Sequence, residues 1–361
     1  MTLTFHGGAG TVTGSRFLLD VGRRRLLVDA GLFQGLKELR LLNWQVPGFD
    51  PGSIDHLLLT HAHIDHSGYI PRLVKETTLV FSGDVGHYGV PLHSDPTAPP
   101  ACDFMVMEST YGDRRHDRVS LERQLSEPIR KTFDRRGTVL IPSFAVGRAQ
   151  LVTLILRDLM DRGDLTEVPI HIDSPMAVDA TRIYGHHLKD ESLDDDLDDD
   201  GRKRLFPRQV QFHQTVEQSK ALNELPGPRI IISASGMLTA GRVLHHLRRL
   251  LPEDRNLVLL VGYQAAGTRG RALLEGAKSL KVHGQQVPVR AHFHAIHGLS
   301  AHADSDELLR WLRASPTPPR KVFITHGEPE ASQALARRIE KETPSHCVVP
   351  HLRDPFDLDA L

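Results

Sequence analysis

Cysteine is nearly absent: Cys102 and Cys347 are the only two among 361 residues. That is too few for a disulfide framework or for a zinc site built of thiolates, and it fits a reducing compartment. A surplus of either charge is also missing, with 44 Lys and Arg against 45 Asp and Glu and a formal net charge of -1. Bulk positive potential therefore does not attract a nucleic acid here, and any anionic substrate must be gripped by local groups. Apolar runs such as Leu257-Val-Leu-Leu-Val261 fall far short of the roughly 18 residues a membrane span needs. Met1-Thr-Leu-Thr-Phe5 carries no signal-peptide pattern, so a soluble, cytoplasmic chain with no membrane partner is expected. The Gly-x-Gly-x-x-Gly spacing is missing from Ala234-Ser-Gly-Met237, and no acidic residue follows a strand at the distance a ribose would require. That argues against a nicotinamide oxidoreductase.

What the chain has is apolar material for a core, 40% hydrophobic and 25% charged residues, over a length that suits two domains. Short strands open it: Arg16-Phe-Leu-Leu-Asp-Val21, Arg25-Leu-Leu-Val-Asp29 and Ile54-Asp-His-Leu-Leu-Leu-Thr60. From about residue 120, helix-length amphipathic segments alternate with buried-type strands such as Thr138-Val-Leu-Ile141 and Arg229-Ile-Ile-Ile232, the α/β pattern of a mostly parallel sheet. Residues 190–200 hold eight carboxylates and read as a solvated loop or helix end, without the glycine and ligand spacing of a calcium loop. The 22 histidines outnumber the 13 Phe and 5 Tyr together and concentrate in two regions that bracket the α/β section. One domain inserted into another is the natural reading.

His61-Ala-His63-Ile-Asp65-His66 follows an apolar strand directly. Imidazole with carboxylate is a ligand set that suits zinc, and a strand breaking into a loop can aim such side chains into one pocket. Asp84 ends the run Thr78-Leu-Val-Phe-Ser-Gly-Asp84, where an aspartate can bridge two ions or simply make a turn. His326 ends Lys321-Val-Phe-Ile-Thr325 in the same strand-to-loop manner. Ser235-Gly236-Met-Leu-Thr239-Ala-Gly241-Arg242 opens a helix, where backbone N–H groups and hydroxyls suit a phosphate or serve packing. Arg148, at another strand-to-helix turn, and Arg269 and Arg271, in Gly267-Thr-Arg-Gly-Arg271, offer guanidinium forks for phosphates. Phe144 or Tyr263 suits either stacking on a base or burial. His245-His246 belongs to a helix face.

Taken together, Gly7-Gly-Ala-Gly-Thr-Val-Thr-Gly-Ser15, the 61–66 cluster, Ser82-Gly-Asp84, Glu108-Ser-Thr-Tyr-Gly112, Ile141-Pro-Ser-Phe-Ala-Val-Gly-Arg148, Asp173-Ser-Pro-Met-Ala177, the 234–242 turn, Leu299-Ser-Ala-His302 and Thr325-His-Gly-Glu328 run along most of the chain. They resemble the β-CASP branch of the metallo-β-lactamase fold, RNA-processing nucleases similar to bacterial and archaeal relatives of the cleavage-and-polyadenylation endonuclease. The resemblance implies an α/β fold: a metallo-β-lactamase αββα-type sandwich, here shortened, formed by residues 1–115 and 290–361, with an α/β β-CASP domain inserted at 116–289. It implies a two-zinc ribonuclease with single-stranded RNA in the cleft, and a homodimer is plausible. By likeness, His61 and His63 hold one zinc, Asp65, His66 and His326 the other, and Asp84 bridges them. Asp29 orients the histidines. Glu108 and His302 are the acid-imidazole pair that protonates the leaving oxygen, so that Asp65, Glu108 and His302 form the catalytic group.

One expected ligand is missing. The likeness demands a histidine between the 61–66 cluster and Asp84, yet the seventeen intervening residues contain none. The pattern reads as an internal deletion that also uncovers apolar faces of the first domain. Three outcomes remain open: a substitute ligand at His87 or His93, a single zinc at Asp65, His66, Asp84 and His326, or an RNA-binding relative that does not cut.

Overall fold

The computed structural model describes residues 1–11, 13–73, 78–117, 119–187 and 209–358. The acidic run at 190–200 and the junction at 74–77 lie outside them. The first sheet runs in chain order: β1 (Thr2–Gly7), β2 (Arg16–Val21), β3 (Arg24–Val28) and β4 (His56–Leu58). β5 (Leu79–Phe81) and β6 (Phe104–Glu108) begin a second one. Residues 138–295 then build a six-stranded sheet from β7 (Thr138–Pro142), β8 (Ile170–Ile172), β9 (Val210–Phe212), β10 (Arg229–Ser233), β11 (Leu257–Leu260) and β14 (His292–Ala295), in the order β14-β11-β7-β10-β8-β9. A hairpin of β12 (Ser279–Val282) and β13 (Gln285–Pro288) flanks it. β15 (Lys321–Thr325) and β16 (His346–Val348) return to the second sheet, ordered β16-β15-β6-β5.

The all-apolar texture of the central strands follows from burial on both faces. Val139, Ile141, Ile230, Ile232, Leu257 and Leu259 belong to one core, while the alternate residues Leu140, Ile231, Val258 and Leu260 belong to another. Helix Arg148–Asp161 covers the first face with Val152 and Ile155; helix Val243–Leu250 covers the second with Leu244 and Leu247. All neighbouring strands of this sheet pair in parallel. β6 lies directly beside β15, with Phe104 opposite Lys321 and Glu108 opposite Thr325, so the six-stranded unit is an insertion between two adjacent strands. β14 is hydrogen-bonded to β11 and so belongs to the inserted sheet, although the sequence boundary at 290 falls before it.

The first sheet has only a small core of Leu18, Leu27, Ala30, Phe49 and Tyr69, separate from the core under the second sheet. β4 is an edge strand exposed along its whole length, with Leu58 at 54%. Leu3, Phe5, Trp44 and Ile64 are exposed too. Here the apolar character of a strand is not matched by burial. Leu58→Gln is therefore expected to change stability by less than about 0.5 kcal/mol, whereas Leu27→Ala, at a fully buried position, should cost about 2–5 kcal/mol. Urea unfolding of the two variants checks this, and equal losses would mean that β4 is covered in solution.

Candidate metal and catalytic centre

Three adjacent parallel strands point their carboxyl ends to the same edge, and each delivers a polar side chain there: Asp84 after β5, Glu108 at the end of β6 and His326 after β15. The carboxyl ends of parallel strands are where an open α/β sheet offers a crevice. His302 arrives from the loop after a short 3-10 turn, His297–Leu299. Ligand-type atoms of Asp84, Glu108, His302 and His326 all lie within 4.8 Å of one another.

Their environments divide the labour. Glu108 is buried; its Oε1 accepts a hydrogen bond from the Val85 N–H at 2.6 Å, and its Oε2 lies 2.8 Å from His302 Nδ1. Both carboxylate oxygens are thus engaged, which fixes the imidazole and leaves Nε2 as its outward nitrogen. Burial alone would lower the His302 pKa, but the hydrogen bond and charge of Glu108, with Asp84, outweigh it and hold the imidazole above its ordinary value. Asp84 and His326 are by contrast more than half exposed, with Asp84 Oδ1 3.5 Å from His326 Nδ1, and so are open to a ligand. A cavity of about 570 Å³ joins this edge to the inserted domain, lined among others by Asp84, His302 and His326 on one side and by Phe144, Arg148 and Tyr263 on the other.

The 61–66 cluster forms at the end of β4. Gly31 lets the loop close against the 29–32 segment: Ala30 N–H donates to His66 O at 2.7 Å, Leu32 N–H to Ile64 O at 3.0 Å, and Ser15 N–H to Asp65 O at 2.9 Å. A Cβ on Gly31 would collide with the Asp65 carbonyl. Asp29, buried and at φ 60, accepts from the Thr60 N–H at 2.8 Å and holds His66 Nδ1 at 2.8 Å, leaving His66 Nε2 outward. Burial would raise the Asp29 pKa, but its bonds to Thr60 and His66 keep it below the usual range. The His61 ring lies 4.7 Å from that of His63 and 4.0 Å from that of His66.

Imidazoles and carboxylates suit a metal, and the Asp84 group brings its ligand atoms within 4.8 Å of one another, whereas among the described residues no three of His61, His63, Asp65 and His66 do so. Nor, among the described residues, do His61, His63, Asp65 and His66 join Asp84 and His326 in one group within 4.8 Å. The substitute ligands fare no better: His87 Nδ1 is 2.6 Å from Glu307 Oε1, and His93 Nε2 is 2.7 Å from the Tyr184 hydroxyl. His87 instead forms a second compact group with His116 and Glu307, in which His116 Nε2 sits 3.1 Å from the His302 carbonyl and so braces the loop bearing His302.

The anion-binding residues read from sequence also sort themselves. The Ser235 hydroxyl accepts from the N–H groups of Thr239 and Ala240 at 3.1 and 3.4 Å and lies 3.0 Å from Thr239 Oγ1, so the turn around Gly236 and Gly241 caps its own amides. Arg242 is committed to Asp173 and to the carbonyls of His213 and Gln214, and Arg269 to the carbonyls of Leu238, Thr239 and Lys281. Arg271 faces Glu275 at 2.8 Å and Glu328 at 3.6 Å. A guanidinium in sequence says nothing of what fills its fork, and in these three cases the fold itself does. Sequence reasoning missed the buried Asp173 network, where Ser219, Arg242 and His246 converge on one carboxylate. An aspartate immediately after a buried strand was the available signal.

The chain matches three family models: a metallo-beta-lactamase superfamily domain over residues 10–80, a Beta-Casp domain over 149–273 and a Zn-dependent metallo-hydrolase RNA specificity domain over 286–350. It is 33% identical to Ribonuclease TTHA0252 of Thermus thermophilus, covering 94% of this chain and 96% of that one. An RNase J-like protein of Methanocaldococcus jannaschii is 28% identical over 96% and 97% of the two chains. Transcription termination factor FttA of the same archaeon is 26% identical over 99% of this chain and 71% of its own. The first of these alignments spans 423 residues, more than the 361 of this chain, so relatives carry positions that have no counterpart here. With a relative this similar along nearly its whole length, and with lactamase, β-CASP and RNA-specificity segments following one another in order, the chain belongs to the β-CASP family of metallo-β-lactamase-fold RNA nucleases.

Proposed function

We propose that this protein hydrolyses phosphodiester bonds of single-stranded RNA with the help of zinc, and that it does so in the cytoplasm. The observation that carries the reading is the pairing of buried Glu108 with His302, preorganised at a cavity whose rim also presents Asp84 and His326. Asp84 and His326 would hold the metal; Asp65 and His66, which the family likeness adds to the same ion, belong to the cluster with His61 and His63. When bound, the metal supplies Lewis acidity towards a phosphate oxygen and acidifies a water molecule. The chain's own residues do the rest. Glu108 orients His302 and favours its protonated form, and His302 Nε2 donates that proton to the leaving oxygen. No serine or cysteine nucleophile is required. The lactamase-type halves and the inserted β-CASP domain retain the division 1–115, 116–289 and 290–361 in this reading, with β14 as the strand that crosses it, and a homodimer is its assembly.

Chelation is expected to abolish cleavage, and Asp65→Ala to remove it. Zinc per chain, measured in protein purified without added metal, separates the mechanistic versions. About two ions with cleavage would mean that the 61–66 cluster and the Asp84 group close on one another in solution; one would mean that a single-metal centre does the work. A second reading, RNA binding without cleavage, draws support from the seventeen-residue spacer without histidine and from the two clusters standing apart. A gel shift that leaves the RNA intact, with less than one zinc per chain, would favour it and sink the first.

A further inference from the structure

Of the guanidiniums that the sequence singled out, Arg148 alone has no hydrogen-bond or ion-pair partner among the described residues. The residue is only 7% exposed, and Nε and Nη1 are buried with no hydrogen-bond partner among the described residues. No carboxylate lies within ion-pair distance of it there, and burial pushes its pKa down to about 10, so it remains a cation at neutral pH. Taking a cation from water without a counter-charge or acceptors works against folding. A fold does not maintain such a group cheaply, and here the position offers a reason to.

Arg148 lines the cavity that also holds Asp84, His302 and His326. It is the first residue of the fourteen-residue helix Arg148–Asp161, whose N-cap is Gly147 at φ 74 with no side-chain cap. The positive end of the helix dipole and the guanidinium therefore coincide. The neighbouring wall is apolar or aromatic, with Phe144, Met237 and Tyr263, and a guanidinium fork fits two oxygens of a phosphate. We propose that Arg148 is the preformed receptor for a backbone phosphate of the bound strand, its charge left uncompensated in the free protein so that the substrate supplies the missing counter-ion. This deepens the RNA-hydrolase reading and rests on it for the identity of the strand. Arg242 and Arg269, whose forks are already filled, then serve to shape the inserted domain.

The test is a comparison of the full-length protein with Arg148→Met, by thermal unfolding with and without inorganic phosphate and by filter binding of a short single-stranded RNA. In phosphate-free buffer R148M is expected to melt above wild type, because an uncompensated buried charge has been removed. Phosphate should raise the melting temperature of wild type and not of R148M. RNA affinity should fall about tenfold or more, and the slope of log affinity against log salt should become less negative by about 0.7, the value of one lost phosphate contact on a single strand. An equal response to phosphate in both proteins, or a lower melting temperature for R148M, overturns the proposal. Loss of the phosphate effect with RNA affinity unchanged would make this a free-phosphate site and overturn the strand assignment. Should R148M not fold, R148Q carries the same comparison, and a phosphate response equal to wild type there is decisive against it. These readouts need no cleavage. A wild type that is stabilised by phosphate through Arg148 but never cuts RNA sinks the hydrolase reading alone.

Discussion

Replacing His302 by alanine is expected to reduce RNA turnover about 10²–10⁴-fold while sparing RNA affinity and zinc content. The separation follows from geometry. His302 Nδ1 is bound to Glu108 at 2.8 Å, and that carboxylate is locked by the Val85 N–H, so in the proposed mechanism the imidazole is held in place to act as the acid. Zinc lost along with activity would mean that His302 is a ligand, sinking the acid role. The pH profile carries the same argument. The His302 pKa is raised, so the protonated form needed for donation is present below it, and turnover should fall as pH rises through it. In Glu108→Gln the raising charge is gone while burial still opposes protonation, so the alkaline limb should move to lower pH. The stability arising from this pair has the matching sign: it is complete below the unfolded histidine value near ~6.5 and is lost as pH climbs through the raised folded value.

The second large effect is structural. Asp173→Ala should destabilise the protein by about 3–5 kcal/mol. Asp173 is fully buried, and its carboxylate takes His246 Nε2 at 2.7 Å, Ser219 Oγ at 2.6 Å and Arg242 Nη1 at 2.8 Å. Removing it leaves the buried His246 Nε2 without its partner and the Arg242 guanidinium without its counter-charge, with only the His213 and Gln214 carbonyls to hold it. Burial raises the Asp173 pKa, but His246, Ser219 and Arg242 more than reverse this and depress it. Its contribution is accordingly present above the unfolded carboxylate value near ~3.9 and is lost as pH falls through the folded one. Denaturant unfolding of Asp173→Ala, His246→Ala and the double variant should give losses well short of additive. A single-variant loss under about 1 kcal/mol would contradict a network of this kind.

Local pattern carried much of the architecture. β7, β10 and β11 could be read as doubly covered strands because every residue in their middle is apolar, and the 61–66 cluster stood out because four ligand-type residues share six positions, although among the described residues no three of them converge. Pairings across long separations were not legible that way. Glu108 and His302 are 194 positions apart and Asp173 and His246 are 73 apart, so spacing gives no hint of either; the first was available only through family likeness. The sequence also offered four arginines to a phosphate without revealing that Arg242 and Arg269 were spoken for by carbonyls. The apolar run Leu57-Leu-Leu59, in and just after β4, reads as a buried strand, yet all three leucines are exposed among the described residues.

The insertion between β6 and β15 also dictates an order of events during synthesis. Strands β7 to β11 are parallel neighbours within 138–260, and their sheet can form while the C-terminus is still being made. The bond from Thr110 to the His326 carbonyl instead spans 216 positions. Asp84 and Glu108 leave the ribosome before the inserted domain, yet they must wait for β15, made after it, before His326 joins them. Contacts of such high order form slowly. The edge that gathers Asp84, Glu108 and His326 is therefore completed after the inserted sheet has its strands β7 to β11, and a chain released before β15 would carry that sheet without His326 beside it.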